Sequence, residues 1–171
     1  MKNLFKTTLF IAALTSIIAC KNDAEKNNET APAASKMTSS SDLTFEDKNV
    51  AVQFQHYIHI KTALVNSNAS EAQAGAKMLL DEATDENIKK ILSDLSSNED
   101  LEKQRELFSD LTKAMTPLVK ETISGGEVYQ QFCPMAFDNT GGYWLSKNEE
   151  VRNPYYGDRM LKCGRVTETI K

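Results

Sequence analysis

Residues Tyr129 to Gly164 decide the fold, and they read YQQFCPMAFDNTGGYWLSKNEEVRNPYYGDRMLKCG. This stretch holds seven of the thirteen aromatic residues, four of the seven glycines and two of the four prolines. Glycine and proline at this density interrupt helical periodicity, whereas buried aromatic rings need close packing. We therefore predict an irregular, tightly packed cap rather than another amphipathic helix.

Within this cap the sequence predicts two short strands, 128–132 and 143–145, joined by the turn-forming residues 138–142. The chain has a single Trp, and in a Gly-rich cap it is most simply a packing anchor. The residues that we expect to hold the cap together are Trp144, Pro154, Tyr155 and Gly157.

Before the cap the chain is helical, because apolar residues recur at three- and four-residue spacing between Phe45 and Thr122. The second helix is predicted to open with a capping box formed by Ser70 and Gln73. Short connecting loops favour an antiparallel bundle, so the expected fold class is mainly α, with a cap that includes a short β-hairpin. The four predicted helices are 45–66, 70–83, a short helix capped by Thr84 or Asp85, and one from about Glu99 to Ile123.

Two residues stand out within the helical pattern. Lys61 lies near the centre of the apolar stripe of the first helix. We favour a packed stem with the ammonium at an edge over a buried pair with a carboxylate, because burial of an unpaired charge is costly. Pro117 lies inside the fourth helix, which it is expected to bend or to divide.

The first nineteen residues have the features of an export signal, since Lys2 and Lys6 precede an apolar run that begins at Leu9. The sequence Ile17-Ile18-Ala19-Cys20 resembles a bacterial lipobox, in which the Cys after the cleavage site is lipidated. The alternative is an uncleaved anchor helix, which the short apolar run disfavours. We expect a signal peptide over 1–19 and a lipid on Cys20.

Residues 20–43 are poor in apolar side chains and are predicted to be a disordered tether, followed by one folded domain over 44–171. Loss of the signal removes two positive charges from a chain of formal charge −4, so the mature protein is acidic. The sequence has no stripe of basic residues, so we expect no nucleic-acid partner. The expected location is the cell envelope, on its periplasmic side or at the cell surface.

The common catalytic motifs are absent, and we expect no enzymatic activity. His56 and His59 are the only histidines and point away from the apolar stripe. Their spacing would allow a surface metal pair, although two solvated histidines without a role are the commoner case.

Sulfur-bearing residues give a stronger signal, because Cys133 and Met135 alternate and Met160 and Cys163 are three apart. Each pair would share a side in an extended segment or in a helical turn, respectively. Two thiolates and two thioethers suit a soft ion such as Cu(I). In an exported protein two cysteines more often form a disulfide, so both interpretations stay open.

A family resemblance bears on this choice. The segments Val128–Phe137, Trp144–Ser146, Arg152–Gly157 and Met160–Gly164, with Tyr57–Val65 in the first helix, resemble the bacterial domain of unknown function thirty-three forty-seven. The resemblance spans about Val50 to the C-terminus.

The resemblance implies a metal-handling role, because that family occurs as lipoproteins and on periplasmic adaptor subunits of heavy-metal efflux pumps. Its Cys-Pro-Met piece is similar to short heavy-metal-binding segments, which usually continue with His-Pro where this chain has Ala136-Phe137. The prediction is a lipid-anchored domain that binds copper, as Cu(I), through Cys133, Met135, Met160 and Cys163. It would sequester the metal or pass it to the adaptor of an efflux pump. The alternative is a structural or protein-interaction module with a Cys133–Cys163 disulfide.

Overall fold

The computed structural model describes residues 42–171. The predicted signal peptide, Cys20 and nearly all of the predicted tether lie outside the described residues. The helices are α1 (Lys48–Val65), α2 (Ala69–Glu82), α3 (Glu86–Ser97), α4 (Leu101–Thr122) and the single turn α5 (Ala136–Asn139), with a 3-10 helix at Gly157–Met160. The strands are β1 (Thr44–Phe45), β2 (Ile123–Gly125), β3 (Val128–Cys133), β4 (Gly142–Ser146) and β5 (Arg165–Ile170).

Each long helix begins after an Asp or Asn whose side chain accepts hydrogen bonds from the first turn. The caps are Asp47, Asn68, Asp85 and Asp100. The predicted start of the second helix is therefore wrong. Asn68 accepts from the backbone N–H of Glu71 at 3.0 Å, two residues before the Ser that was expected to serve as the cap.

The mainly helical fold class is confirmed. Helices α1 to α4 pack in sequence order, and α1 also contacts α4. Aromatic rings run through this core, where Tyr57 stacks on Phe54 on one side and on Phe108 on the other. The aliphatic core side chains include Ile60, Leu64, Leu79, Ile88, Leu92, Leu95, Leu111 and Val119. No helix among residues 42–171 is long and apolar enough to cross a membrane.

Helix α4 runs continuously from Leu101 to Thr122 and includes Pro117, so the predicted division into two helices does not occur. The helix ends at Thr122, one residue before the predicted end, and the next three residues form β2. Strand β2 pairs with β1, and the N–H of Glu46 donates to the carbonyl of Thr122 at 2.7 Å. The chain therefore enters the helical bundle next to the point at which it leaves the bundle. Helix α1 starts three residues later than predicted.

The predicted hairpin is confirmed and extends into a three-stranded antiparallel sheet of order β4-β3-β5. Strand β3 is central, so Cys133 pairs with Gly142 of β4 while Phe132 pairs with both Tyr143 and Arg165. The sequence did not predict β5. The connection between β3 and β4 turns through three consecutive non-glycine residues of positive φ, namely Phe137, Asp138 and Asn139.

Lys61 is 7 % exposed and has no carboxylate within 4.0 Å among the described residues, so the paired alternative is not observed. Burial lowers the pKa of its ammonium to about 8. The nearby charge of Arg152 adds to this effect and that of Glu150 opposes it.

A dithiol between the central strand and the last loop

The two cysteines of the described chain meet in space. Cys133 ends the central strand β3 and is 0 % exposed, whereas Cys163 lies in the loop before β5 and is partly exposed. Their Sγ atoms are 2.9 Å apart and both are free thiols. Thirty residues of chain separate them, so the cap has to fold before this pair can exist.

Cys133 is positioned by the sheet, and its ladder partner lies against a tyrosine ring. Its ladder partner Gly142 lies against Tyr155, and a Cβ on that glycine would come within 2.6 Å of the ring. Only glycine allows this close approach. The ring of Tyr155 in turn packs edge-on against Trp144 and Phe137.

Cys163 is positioned by Asn153, which is 0 % exposed. The Asn153 side-chain amide donates to the carbonyl of Cys163 at 3.0 Å, and its backbone N–H donates to the carbonyl of Leu161 at 2.8 Å. The N–H of Cys163 donates to the carbonyl of Met160 at 3.0 Å. Both ends of the loop from Met160 to Cys163 are therefore fixed by hydrogen bonds.

The two methionines predicted as ligands lie at the surface beside this pair. Met135 follows β3 in a helical backbone conformation rather than the extended one assumed from sequence, and it is 44 % exposed. Its carbonyl accepts from the hydroxyl of Tyr156 at 2.6 Å. Met160 ends the 3-10 helix and is partly exposed. The structure thus brings the two thiols together and leaves both thioethers in reach of solvent.

The pKa of the Cys163 thiol is raised above its usual value. The main cause is its hydrogen bond with Cys133, and burial adds to the effect, while the backbone N–H of Met135 opposes it by favouring the thiolate. A metal ion that binds the Cys163 thiolate therefore has to displace its proton.

Trp144, the residue predicted to anchor the cap, is 0 % exposed. Its indole N–H donates to the side-chain carbonyl of Gln131 at 2.7 Å. The amide of Gln131 donates in the other direction to the carbonyls of Asn148 and Glu149, at 3.0 and 2.9 Å. Gln131 therefore connects the buried indole to the loop after β4.

Pro154 and Gly157 join the cap to the bundle through Arg105 of α4, which is 2 % exposed. Its Nε donates to the carbonyl of Pro154 at 3.0 Å, and a terminal nitrogen donates to the hydroxyl of Ser67, just beyond α1, at 3.1 Å. Another terminal nitrogen pairs with Glu102 at 2.7 Å. Gly157 packs against the same end of α1, with a φ of 56°.

A second buried connection comes from Tyr57 of α1. Its hydroxyl bonds to the hydroxyl of Thr112 at 2.7 Å and accepts from the backbone N–H of Leu145 at 2.9 Å. The Thr112 hydroxyl donates onward to the carbonyl of Phe108 at 2.9 Å. This connection places β4, and with it the central strand, on the helical core.

The donor set is small for a metal centre. No group of three or more His, Cys, Asp or Glu side chains is positioned to hold a metal ion within residues 42–171. His59 bonds through Nε2 to Glu71 at 2.5 Å. Any soft metal held here would take the two thiolates, with the thioethers of Met135 and Met160 as the remaining soft donors.

Comparison with known families bears on the helical part. Residues 53–125 match the model of a family described as a protein of unknown function, DUF3347. The predicted resemblance is therefore confirmed over this range. The DUF3347 match begins within α1, runs to the end of β2 and stops before β3, so both cysteines of the dithiol lie beyond it. No curated protein and no solved structure matches the chain.

Three residues that organise the site were not predicted, namely Asn153, Gln131 and Arg105. Asn153 precedes a proline in the aromatic segment, a context typical of turns, and this signal could have identified it. Gln131 and Arg105 look like ordinary polar positions of a strand and a helix. Apart from Glu102, which pairs with Arg105, their partners are 13 to 49 residues away, so only the folded structure reveals their roles.

Proposed function

We propose that this protein is a lipid-anchored domain of the cell envelope that binds a soft metal ion, Cu(I), through the thiolates of Cys133 and Cys163. The observation that carries the proposal is the 2.9 Å separation of two free thiols brought together from distant parts of the cap. Exposure of Met135 beside them gives a thioether that could receive or complete the ion.

The distance is compatible with two states of the pair. A disulfide bond is about 2.05 Å long. Two thiolates that share one metal ion through bonds of about 2.3 Å lie roughly 3.8 Å apart at tetrahedral angles. Sulfurs at 2.9 Å lie between these values. Rotation of the Cys163 side chain in its loop could therefore close the pair or open it onto an ion.

The second candidate is a structural or protein-interaction domain in which the two cysteines form a disulfide. The same close approach favours it, as does the lack of a third His, Cys, Asp or Glu donor among the described residues. A bond across this 30-residue separation would stabilise the fold by roughly 3–4 kcal/mol on chain-entropy grounds. In that state neither sulfur is a thiolate ligand.

Replacement of both methionines separates the two candidates. Met135→Leu with Met160→Leu conserves volume and apolarity and should cost under about 1.5 kcal/mol in folding. We expect the double variant to keep its melting temperature and to lose Cu(I) affinity in a competition titration with a chromogenic chelator.

The matched control is Met78→Leu, which changes an exposed methionine on α2 and should bind Cu(I) as the wild type does. Wild-type protein that shows no free thiols and takes up no Cu(I) after mild reduction would reject the metal proposal and leave the disulfide candidate.

The cellular role follows from the proposed anchor and from the DUF3347 resemblance. We propose that the domain sequesters the ion at the membrane surface or passes it to the periplasmic adaptor of a heavy-metal efflux pump. Labile transfer requires ligands that a partner can reach, and the partly exposed Cys163 and the exposed Met135 meet this requirement.

A further inference from the structure

The two sulfurs of the dithiol differ in access from solvent. Cys133 is 0 % exposed at the end of a central strand, whereas Cys163 is partly exposed in a loop. A reactant in solution therefore reaches Cys163 first. We propose that Cys163 is where thiol–disulfide exchange with an anionic low-molecular-weight disulfide of the glutathione class begins, and that Cys133 is the resolving sulfur.

The charge around Cys163 selects the reactant class. Segment 159–165 contains three basic residues and no acidic one, in a chain of net charge −4. Arg159 is paired with Glu102 at 2.8 Å. Lys162 and Arg165 are exposed and have no carboxylate within 4.0 Å among residues 42–171, and the guanidinium of Arg165 lies over the ring of Phe132, 5.5 Å from its centroid.

Both cations lie close to Cys163 along the chain. Lys162 is its neighbour and Arg165 is two residues further, so their Cα atoms are within about 7 Å of its Cα. Exposed charges interact over a Debye length of about 10 Å at 0.1 M salt. Both cations therefore attract an anionic disulfide towards Cys163.

The exchange has two steps. In the first, the Cys163 thiolate attacks one sulfur of the oxidised reactant, a Cys163–reactant disulfide forms, the reactant's own S–S bond breaks, and one reactant thiolate leaves. In the second, the Cys133 thiolate attacks Sγ of Cys163, which is 2.9 Å away in the free pair, and the second reactant thiolate leaves. The protein dithiol loses two electrons and two protons, and the disulfide reactant is reduced to two thiols.

This inference rests on the proposed function in one respect, namely that both thiols are free in one state of the protein. It adds an order of reaction and a reactant class, neither of which requires a metal. The glutathione adduct on Cys163 would occupy one of the two proposed thiolate ligands. The same sulfur is thus the point at which metal binding and oxidation compete.

The test exposes the full-length chain, purified reduced and metal-free, to oxidised glutathione and maps adducts by peptide mass spectrometry. We expect Cys133→Ser to accumulate one glutathione on Cys163, because no resolving sulfur remains. Cys163→Ser should acquire essentially none, because Cys133 is buried. Adduct on Cys133 in preference to Cys163, or equal adduct in the two variants, would overturn the proposed order.

A measurement on the wild-type protein tests the same order of reaction even if either serine variant misfolds. Brief treatment of the reduced wild type with iodoacetamide should alkylate Cys163 several-fold faster than Cys133. Peptide mapping assigns any label on Cys20 separately. Equal labelling of the two cap cysteines would contradict the proposal even if neither serine variant folds.

The reactant class is tested by removing the two positive charges from the protein and, separately, by reversing the charge of the disulfide reactant. Lys162→Gln with Arg165→Gln should slow adduct formation with oxidised glutathione several-fold and accelerate it with cystamine, a cationic disulfide. Lys147→Gln, which removes an exposed cation from the loop after β4, is the control and should change neither rate. Unchanged relative rates for the two disulfides in the double variant would overturn the anionic preference.

The outcomes also separate this inference from the proposed function. Exchange at Cys163 without Cu(I) uptake would reject the metal proposal alone. Cu(I) uptake in a protein whose cysteines react with glutathione in the opposite order would reject only the inference.

Discussion

Trp144 shows how one side chain can hold an irregular segment in place. It is 0 % exposed, packs edge-on against Tyr155 at a ring-centroid distance of 5.8 Å, and donates its N–H to Gln131 at 2.7 Å. These contacts connect it to β3 and to the loop that carries Asn153. The indole therefore supports the strand and the loop that supply the two sulfurs.

We predict that Trp144→Ala destabilises the protein by about 3–5 kcal/mol, because it leaves a cavity and an unpaired carbonyl on Gln131. The measurement is chemical denaturation followed by circular dichroism. Tyr143→Ala is the matched control, since the neighbouring ring is 46 % exposed and should cost much less. Equal losses in the two variants would mean that the cap is not packed around the indole.

Lys61 is a second residue whose position has a measurable consequence. Its pKa in the folded protein is about 8, against 10.5 for a free side chain, mainly because of burial. The folded state therefore binds fewer protons than the unfolded state between these two values. The destabilisation of the folded state by the buried ammonium is fully present below pH 8 and is relieved as the pH rises towards 10.5.

We therefore predict that Lys61→Met stabilises the protein at pH 7 by up to about 3 kcal/mol, and that this advantage shrinks between pH 8 and 10.5. Denaturation curves of both proteins across this range provide the measurement. Lys77→Met, on an exposed position of α2, should show no such trend relative to the wild type. A difference between Lys61→Met and the wild type that stays constant with pH would show that the ammonium is well solvated.

At the scale of elements, the junction between the cap and the bundle depends on a close approach at Gly157. This glycine has a φ of 56°, and an added Cβ would lie 2.5 Å from the hydroxyl oxygen of Ser67 and 2.9 Å from the carbonyl oxygen of Val65. Arg105 occupies the same junction and binds both sides of it. The end of α1 and the start of the 3-10 helix therefore meet with no space for a side chain.

We predict that Gly157→Ala separates the cap from the bundle and costs more than about 2 kcal/mol, since a backbone carbonyl cannot move aside as a flexible side chain would. Gly126→Ala is the control, because Gly126 also has a positive φ, of 78°, but is partly exposed. The excess loss at Gly157, measured by thermal unfolding, reports the close contact. A loss of stability no larger than that of Gly126→Ala would contradict the close contact at Gly157.

The elements predicted correctly are those with a strong local pattern. The four helices have clear apolar stripes, and the hairpin combines alternating residues with the Asn-Thr-Gly-Gly turn. Strand β5 was missed because Arg165, Thr167 and Thr169 are exposed and leave only Val166 and Ile170 as a weak pattern. The start of α1 was misplaced because an apolar residue at position 45 continues the stripe, although the chain there is a strand.

For the whole molecule, the candidate site was partly predictable. The sequence identified the four sulfur residues by type, but their geometry depends on contacts between distant segments. Met135 was expected in an extended segment beside Cys133, and the turn after β3 removes that arrangement. Pairing of β3 with β5 and the bonds from Asn153 bring Cys163 to Cys133, and neither interaction has a local signature.

The proposed attachment of the whole molecule to a membrane gives a prediction at this scale. Cys20→Ala should leave the precursor uncleaved at this site and abolish its labelling by radioactive fatty acid, because the acceptor thiol is lost. The labelled and unlabelled forms are separated by gel electrophoresis of whole cells. Persistent labelling of the variant would reject the lipobox interpretation.

The pairing of β1 with β2 determines how the domain would respond to tension. A pull on residues before Thr44 acts first on the short ladder between β1 and β2 and on the bond from Glu46 to Thr122. These few bonds would peel away one after another before any load reached the aromatic core. The pairing of β1 with β2 would therefore break at low force, while the sulfur pair keeps its geometry.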